Sequence, residues 1–473
     1  MQQYRDKFFY ILLIVVIVFI ILFSNLGQNF KNDITSSNNI INHIDTFKNA
    51  WDNNKQYQGY LDASRDYIMS FFADYNIKPL KDSDYIEEWS SNLPSFKYPS
   101  SLEVLSKSKY GRIVKSYKYG EDFFEDFRGS IKPGIFTASG VYIKSLDSET
   151  NLSDKILLFD GYANKSPDEI INIDSKIRSL GAAAVISPSY SNELKSQSGL
   201  YDDKSSLVDG NLIKLIVSQQ TFNELKKFSK DNYIIKIKSG GEIKPTKLRN
   251  IYGFIKGKNS SYKPLILVSF YDGIYNTPGY NNLEFERYVT APSVLLDTIR
   301  AVKYQRTKVP DRSIVFAFIS GYMYNKQGLE RLFSRNLEGD ILILDGLGSG
   351  DTNFISYSKP SKYLGDSVEY YLHKNNFKVT SKSVINSSGF NFLYLTTSSL
   401  KGSVMDYQRL YRSGKFLLSL TGGECYNIDF LSGNIAAFRS FKRFIKDNSV
   451  ILSLFTMIFL IFIVFKDSNK KYH

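Results

Sequence analysis

Three short apolar runs between residues 264 and 348 constrain the fold more than any other part of the chain. They are Leu265-Ile266-Leu267-Val268, Ile314-Val315-Phe316-Ala317-Phe318 and Ile341-Leu342-Ile343-Leu344. Each is too short for a membrane span or an ordinary helix. Each is rich in β-branched and aliphatic residues, which suits strands buried on both faces of a mainly parallel sheet. Each also ends in a small polar turn: Ser269-Phe270-Tyr271-Asp272-Gly273, Ser320-Gly321-Tyr322-Met323 and Asp345-Gly346-Leu347-Gly348. In open α/β sheets the chemistry gathers just past the carboxyl ends of the strands, so these turns are expected to face one crevice. What they carry bears directly on function.

Segments of helical spacing separate the runs. Leu295, Ile299 and Val302 share one side of residues 292–303, and Leu329, Leu332 and Phe333 one side of residues 326–335. Residues 366–375 form a third expected helix, and residues 407–420 and 428–445 close the chain. Upstream, Leu61, Tyr67, Ile68, Phe71 and Phe72 mark a helix over residues 60–75, which Pro79 cannot continue. Residues 28–60 read as a polar, Asn-rich stalk, and residues 80–130 show no clear periodicity. From residue 135 to 240, short strands (156–159, 182–186, 212–217, 233–237) surround one well-marked helix. Ser166-Pro167-Asp168-Glu169 gives it a cap, a proline in the first turn and a carboxylate placed for a capping box. Ile170, Ile173, Ile177 and Leu180 then share a face, and Gly181 ends it.

At 473 residues, two or more domains and a large core are expected. The net charge of +13 is scattered, and no nucleic-acid-binding motif accompanies it, so nucleic acid is not an expected partner. Anionic lipid headgroups or acidic wall polymers are the partners such a charge attracts, while codon bias is the bland account of it. Residues 8–23 are an unbroken apolar run behind Arg5 and Lys7. Residues 450–465 are a second, interrupted by Ser453 and Thr456 and followed by Lys466, Lys470 and Lys471. Each lies near the lower limit of roughly 17 residues for a membrane helix. The expected layout is a cytoplasmic N-terminus (1–7), a membrane helix (8–26), an outer region, a second membrane helix (449–465) and a cytoplasmic tail (466–473). Basic residues ahead of the first span put the N-terminus inside, and two spans return the C-terminus to that side. Lys442, Arg443 and Lys446 run against the charge rule at the second span. Ser24-Asn25-Leu26-Gly27 is a poor cleavage site, so the first span is expected to remain as an anchor. Cys425 is the single cysteine, which excludes an intrachain disulfide and fits a bacterial surface protein.

The order of these elements resembles the zinc-dependent aminopeptidase and glutamate-carboxypeptidase family, in its form with an inserted protease-associated domain. In the insert the resemblance rests on residues 155–161 (Lys-Ile-Leu-Leu-Phe-Asp-Gly) and 179–186 (Ser-Leu-Gly-Ala-Ala-Ala-Val-Ile). In the core it rests on Asn250-Ile251-Tyr252-Gly253, Ser269-Phe270-Tyr271-Asp272, residues 312–321 and Leu344-Asp345. It implies an α/β fold: a mainly parallel mixed sheet flanked by helices, with a small protease-associated α+β insert. Residues 27–134 would hold the stalk and the start of the peptidase-like domain, 135–240 the insert and 241–446 the main part.

Active members of that family hold two zinc ions with histidine and acidic ligands, beside a glutamate that serves as general base. Such groups neutralise and orient the dications, which activate water and polarise the scissile carbonyl. Carried over by position, the first histidine falls on Phe270, while Asp272 keeps the family's aspartate. The bridging aspartate falls near Arg287, the glutamate pair on Tyr322 and Met323, and the last histidine near Gly389. Asp345 keeps the aspartate after the third strand. A phenylalanine and a methionine offer no hard donor, and a guanidinium at the bridging position repels dications. His43 in the stalk, His373 in a helix and His473 at the end are the only histidines, and none lies at an expected ligand position.

The apolar runs, the resemblance and these departures from its ligand pattern together lead to the expectation of a membrane-anchored peptidase-like protein that has lost zinc and peptidase chemistry. The expected work is binding or assembly with a protein, peptide or wall polymer, through the former crevice or the insert. Tyr275, Tyr280, Arg287 and Tyr288, in the aromatic loop 274–288, are the candidates for rimming that crevice. Asp272 and Asp345 are expected to be held by hydrogen bonds or by Arg287. Glu284, Glu286 and Glu330 read as solvated surface charge, and Gly346-Leu347-Gly348-Ser349-Gly350 as a plain turn. The alternative is a membrane-tethered metallo-aminopeptidase with relocated ligands.

Overall fold

The computed structural model describes residues 35–426, apart from 55, 81–83, 108–110, 147–150, 190–211, 274–284, 306–308, 349–351, 359–361, 385–390 and 398–404. The chain begins with helices α1 (Ser37–Asn54) and α2 (Tyr57–Asp74), then strands β1 (Lys78–Pro79) and β2 (Ile86–Phe96). Next come β3 (Ser101–Leu105), β4 (Ile113–Tyr117), β5 (Phe123–Glu125), β6 (Gly134–Ile143) and β7 (Lys155–Phe159). They are followed by α3 (Pro167–Ser179), β8 (Ala184–Pro188), β9 (Ile213–Val217), α4 (Gln219–Lys230) and β10 (Ile234–Ser239). The long β11 (Gly241–Ile255) leads into β12 (Leu265–Phe270), α5 (Phe285–Gln305), β13 (Ile314–Ile319), α6 (Gln327–Ser334) and β14 (Asp340–Asp345). Last are β15 (Thr352–Ser358), α7 (Lys362–Lys374), β16 (Lys378–Val384), β17 (Phe392–Thr397) and α8 (Tyr407–Tyr426).

The three apolar runs are β12, β13 and β14, and they sit side by side in the order β13-β12-β14 at the centre of a nine-stranded mixed sheet. All three are parallel, with Leu265 level with both Ile314 and Asp340. β17 extends the parallel set beside β14, and β11 flanks β13 antiparallel. Alternate residues point to opposite faces, as the pleat requires. Leu267, Phe316 and Leu342 join the large cluster under α1, α2, α5 and α8. Val268, Ala317 and Ile343 join a smaller one under Leu329 and Leu332 of α6. Two covered faces explain why these strands are apolar at nearly every position.

An antiparallel ribbon of β2 and β11, in register from Phe96↔Gly241 to Ile86↔Ile251, leads into and out of a second sheet. That sheet has eight strands, in the order β4-β3-β10-β6-β7-β8-β9-β5, with β6 to β9 parallel. It draws in β3, β4 and β5, so it begins at Ser101 rather than at the expected 135. On β4 the sequence pattern misleads because apolar character and burial are out of step: Ile113 and Val114 are exposed while Tyr117 is buried. The capping box of α3 is formed: Ser166 accepts from the Glu169 N–H, and the Glu169 carboxylate accepts from the Ser166 N–H at 2.8 Å. Gly181 follows the helix with φ +90°, a left-handed conformation that suits glycine.

Residues 37–54 are not a stalk. They form α1, whose Ile40, Ile44 and Phe47 are buried in the large cluster. His43 is buried too, with Nδ1 2.5 Å from the Tyr67 hydroxyl; burial and then Arg300 push its imidazole down to about 4. A polar, Asn-rich helix conceals its role because only one narrow stripe of it meets the core. The expected membrane helices at 8–26 and 449–465, and the expected helix at 428–445, lie outside the described residues. Among the described residues, no helix is long and apolar enough to cross a membrane.

Candidate functional site

The carboxyl ends of β12, β13, β14 and β17 converge, and two aspartates mark the place. Asp272, two residues past β12, is fully buried. It accepts hydrogen bonds from the Tyr57 hydroxyl at 2.5 Å, from the Gly321 N–H and from the Tyr322 N–H at 3.2 Å. Gly321 has φ +82°, a backbone state that glycine adopts without strain and that this tight turn after β13 uses. The neighbouring turn is clamped as well: Tyr271 donates to the Arg249 carbonyl at 3.0 Å, and Tyr60 donates to the Tyr271 carbonyl at 2.6 Å. Burial pushes the Asp272 carboxyl up to about 6, against the opposing pull of Tyr57 and the two N–H groups.

Asp345, at the end of β14, is also buried. Its Oδ2 accepts from two phenols, Tyr394 at 2.6 Å and Tyr322 at 3.1 Å. Burial, and then the charge of Asp345, push the Tyr394 hydroxyl far up, so it remains a donor. Aromatic rings fill the space between the turns. Tyr322 meets Phe270 edge-on with ring centres 4.8 Å apart, and lies 4.9 Å from the ring of Tyr288. Tyr288 in turn covers Gly273, where an added Cβ would lie 2.1 Å from its ring. The Lys326 ammonium stands 5.1 Å from the Tyr394 ring and 5.7 Å from that of Tyr322.

The fold thus brings together Phe270, Asp272, Tyr288, Tyr322 and Asp345. Met323 turns away and packs partly buried against the opposite cluster. Tyr288 is carried by α5, which starts at Phe285, rather than by a loop running to residue 288. Arg287 falls in the first turn of that helix, and its side chain, like that of Glu286, lies outside the described parts of the chain, as do Tyr275, Tyr280, Glu284 and Gly389. His373 is half-exposed on α7, 3.7 Å from Glu369, and Glu330 is exposed in the first turn of α6. Gly346 has φ +59°, and Gly348 packs so closely that an added Cβ would lie 2.3 Å from Thr290. Sequence reasoning missed Tyr57 and Tyr394. Tyr394 was within reach, because it lies on a strand whose carboxyl end faces the same crevice. Tyr57, 215 positions from Asp272, gives no local signal. Among the described residues, no group of three or more His, Cys, Asp or Glu could hold a metal ion.

No protein-family model and no curated protein matches the sequence. Solved structures do. The aminopeptidase from Aneurinibacillus sp. strain AM-1 aligns with a TM-score of 0.55 at 14% identity, over 84% of this chain and 95% of its own. BSAP, a zinc aminopeptidase from Bacillus subtilis, aligns with a TM-score of 0.52 at 14% identity, over 83% of this chain and 96% of its own. The fold is peptidase-like. At this identity the likeness concerns the fold, and the residues in the crevice must speak for the chemistry.

Proposed function

We propose that this chain is a membrane-anchored, extracytoplasmic peptidase-like protein that binds or assembles rather than hydrolyses. The observation that carries the reading is the capping of Asp345 by the hydroxyls of Tyr322 and Tyr394. A metal-binding carboxylate must aim free lone pairs at the cation, and here two phenols donate to the same oxygen. Asp272 is likewise committed to three donors, and the Phe270 ring brings no ligand atom to the end of β12. These residues do not fit a dizinc centre.

The crevice that results, lined by Tyr322 and Tyr394 with Lys326 beside them and the buried Tyr288 behind, suits recognition, because tyrosines offer large rigid faces and a polar tip. Its ligand is a protein, peptide or wall polymer; the sheet of the insert, read as protease-associated, is the other surface available. The apolar runs near the two ends serve as anchors, with both termini cytoplasmic. The test is to purify the full chain from membranes in detergent and assay a panel of aminoacyl chromogenic substrates with added zinc. No turnover above a metal-free control is expected. Turnover that a chelator abolishes would replace this reading with that of a membrane-tethered aminopeptidase using other ligands.

A further inference from the structure

A second buried polar centre lies in the eight-stranded sheet. Lys214, on β9, is 1% exposed. Its Nζ donates to Oδ2 of Asp174 at 2.8 Å and to the Arg128 carbonyl, and it lies 4.9 Å from the centre of the Tyr162 ring. Asp174, on α3, is fully buried. Its Oδ1 accepts from the Tyr162 hydroxyl, and its Oδ2 also accepts from the Ser130 N–H at 2.8 Å. The turn that supplies these partners fits tightly: Gly129 has φ +71°, and an added Cβ there would lie 2.3 Å from Asp174 Oδ2. Asp126, fully buried beside them, is held in both oxygens by Arg128 at 2.9 and 2.8 Å.

The two aspartates differ in kind. Burial raises the Asp126 carboxyl, but Lys214 and Arg128 outweigh it and hold it below the usual range. For Asp174 burial wins over Lys214 and the hydrogen bonds, and its carboxyl is raised. An ammonium and a carboxylate taken this far out of water and held in contact are costly to keep as an ion pair. We propose that Lys214 Nζ and Asp174 Cγ are joined by an intramolecular isopeptide bond.

The reaction is a condensation. The Nζ–Cγ bond forms and the Cγ–Oδ2 bond breaks. Two protons of the original ammonium leave with Oδ2 as water, and Oδ1 stays as the amide carbonyl, still accepting from Tyr162. No electrons are gained or lost, and no co-reactant is needed. The Tyr162 hydroxyl and the Ser130 N–H stand at the two oxygens where negative charge grows in the tetrahedral stage. The Arg128 carbonyl accepts an Nζ–H and holds the nitrogen beside the carboxyl. Amide formation from free acid and amine is unfavourable in water. Groups held in contact gain an effective concentration of about 10⁵–10⁸ M, and a closed site withholds the water that would reverse the step. The link ties α3 to β9 in a chain whose lone cysteine permits no intrachain disulfide.

The test is mass spectrometry of the full chain, purified in detergent and then denatured. One proteolytic fragment should be branched, containing both Lys214 and Asp174, and lighter by one water than its two arms. Asp174→Asn should give the same branched fragment by expelling ammonia instead, whereas Asp174→Ala should give only linear ones. Recovery of separate linear peptides carrying Lys214 and Asp174 in full yield from the natural chain would show a plain ion pair and overturn the proposal. That measurement needs no variant to fold.

Discussion

In the crevice, Asp272 and Asp345 lie under tyrosine hydroxyls and backbone N–H groups; in the eight-stranded sheet, Asp126 and Asp174 lie against Arg128 and Lys214. Both regions bury pairs of carboxylates. The first satisfies them with neutral donors alone and the second adds basic side chains, and the difference shows at Asp126. Neutral donors fill lone pairs without supplying charge, so Asp272 remains costly to ionise. A cation supplies charge as well, and Asp126 is held ionised. A carboxylate awaiting a dication would need the opposite of what the crevice provides, namely lone pairs left open.

Removing Lys214 should hurt most. Lys214→Met leaves the buried Asp174 carboxyl with neither the proposed link nor a counter-charge, a loss of about 3–5 kcal/mol or more. Urea unfolding followed through the eight-stranded sheet should show it, and a change below about 1 kcal/mol would mean that water reaches the site. Tyr57→Phe removes one neutral donor from a fully buried carboxyl, and should cost about 1–3 kcal/mol. The same denaturation measured at pH 4 should show a smaller loss, because a protonated Asp272 needs that donor less.

Acidity should separate Asp272 from Asp126 by sign. The Asp272 carboxyl is raised from 3.8 to about 6, so the folded state holds its proton more tightly than the unfolded chain. Its contribution is complete below about pH 4 and declines as pH rises through 6, by about 1.4 kcal/mol for each pH unit that separates the folded value from the unfolded one. Asp297, raised to about 6 by burial over the pull of Arg300, acts in the same direction. Asp126 is lowered, so its contribution is present above its unfolded value and fades as pH falls through the folded one. Amide hydrogen exchange, corrected for intrinsic rates, should show β12 opening more readily at pH 7 than at pH 5. The turn that holds Asp126 should not follow. Parallel behaviour at the two aspartates would undo the contrast. The smallest effect is expected from Tyr394→Phe, about 0.5–1.5 kcal/mol in thermal or urea unfolding, since Tyr322 still donates to Asp345.

The central strands were legible because a strand covered on both faces must be apolar at nearly every position, and the α3 cap because its chemistry is local to four residues. Asp272 and Asp345 were legible as the polar groups that end such strands. What could not be read is long-range. α1 looks like a stalk until α5 and α8 cover its one apolar stripe, and Tyr57 meets Asp272 only through the tertiary fold. Lys214 sits inside the apolar run of residues 212–217, and nothing near it in sequence announces Asp174 or Arg128. Apolar period is a local signal; partners for buried charges are not.

The most direct test of the account is anomalous scattering at the zinc edge from crystals of the protein grown with excess zinc. The account predicts no peak within bonding distance of Asp345, whose oxygen remains hydrogen-bonded to Tyr322 and Tyr394. Two fully occupied zinc ions at the carboxyl ends of β12 and β14, with those tyrosines displaced, would contradict it.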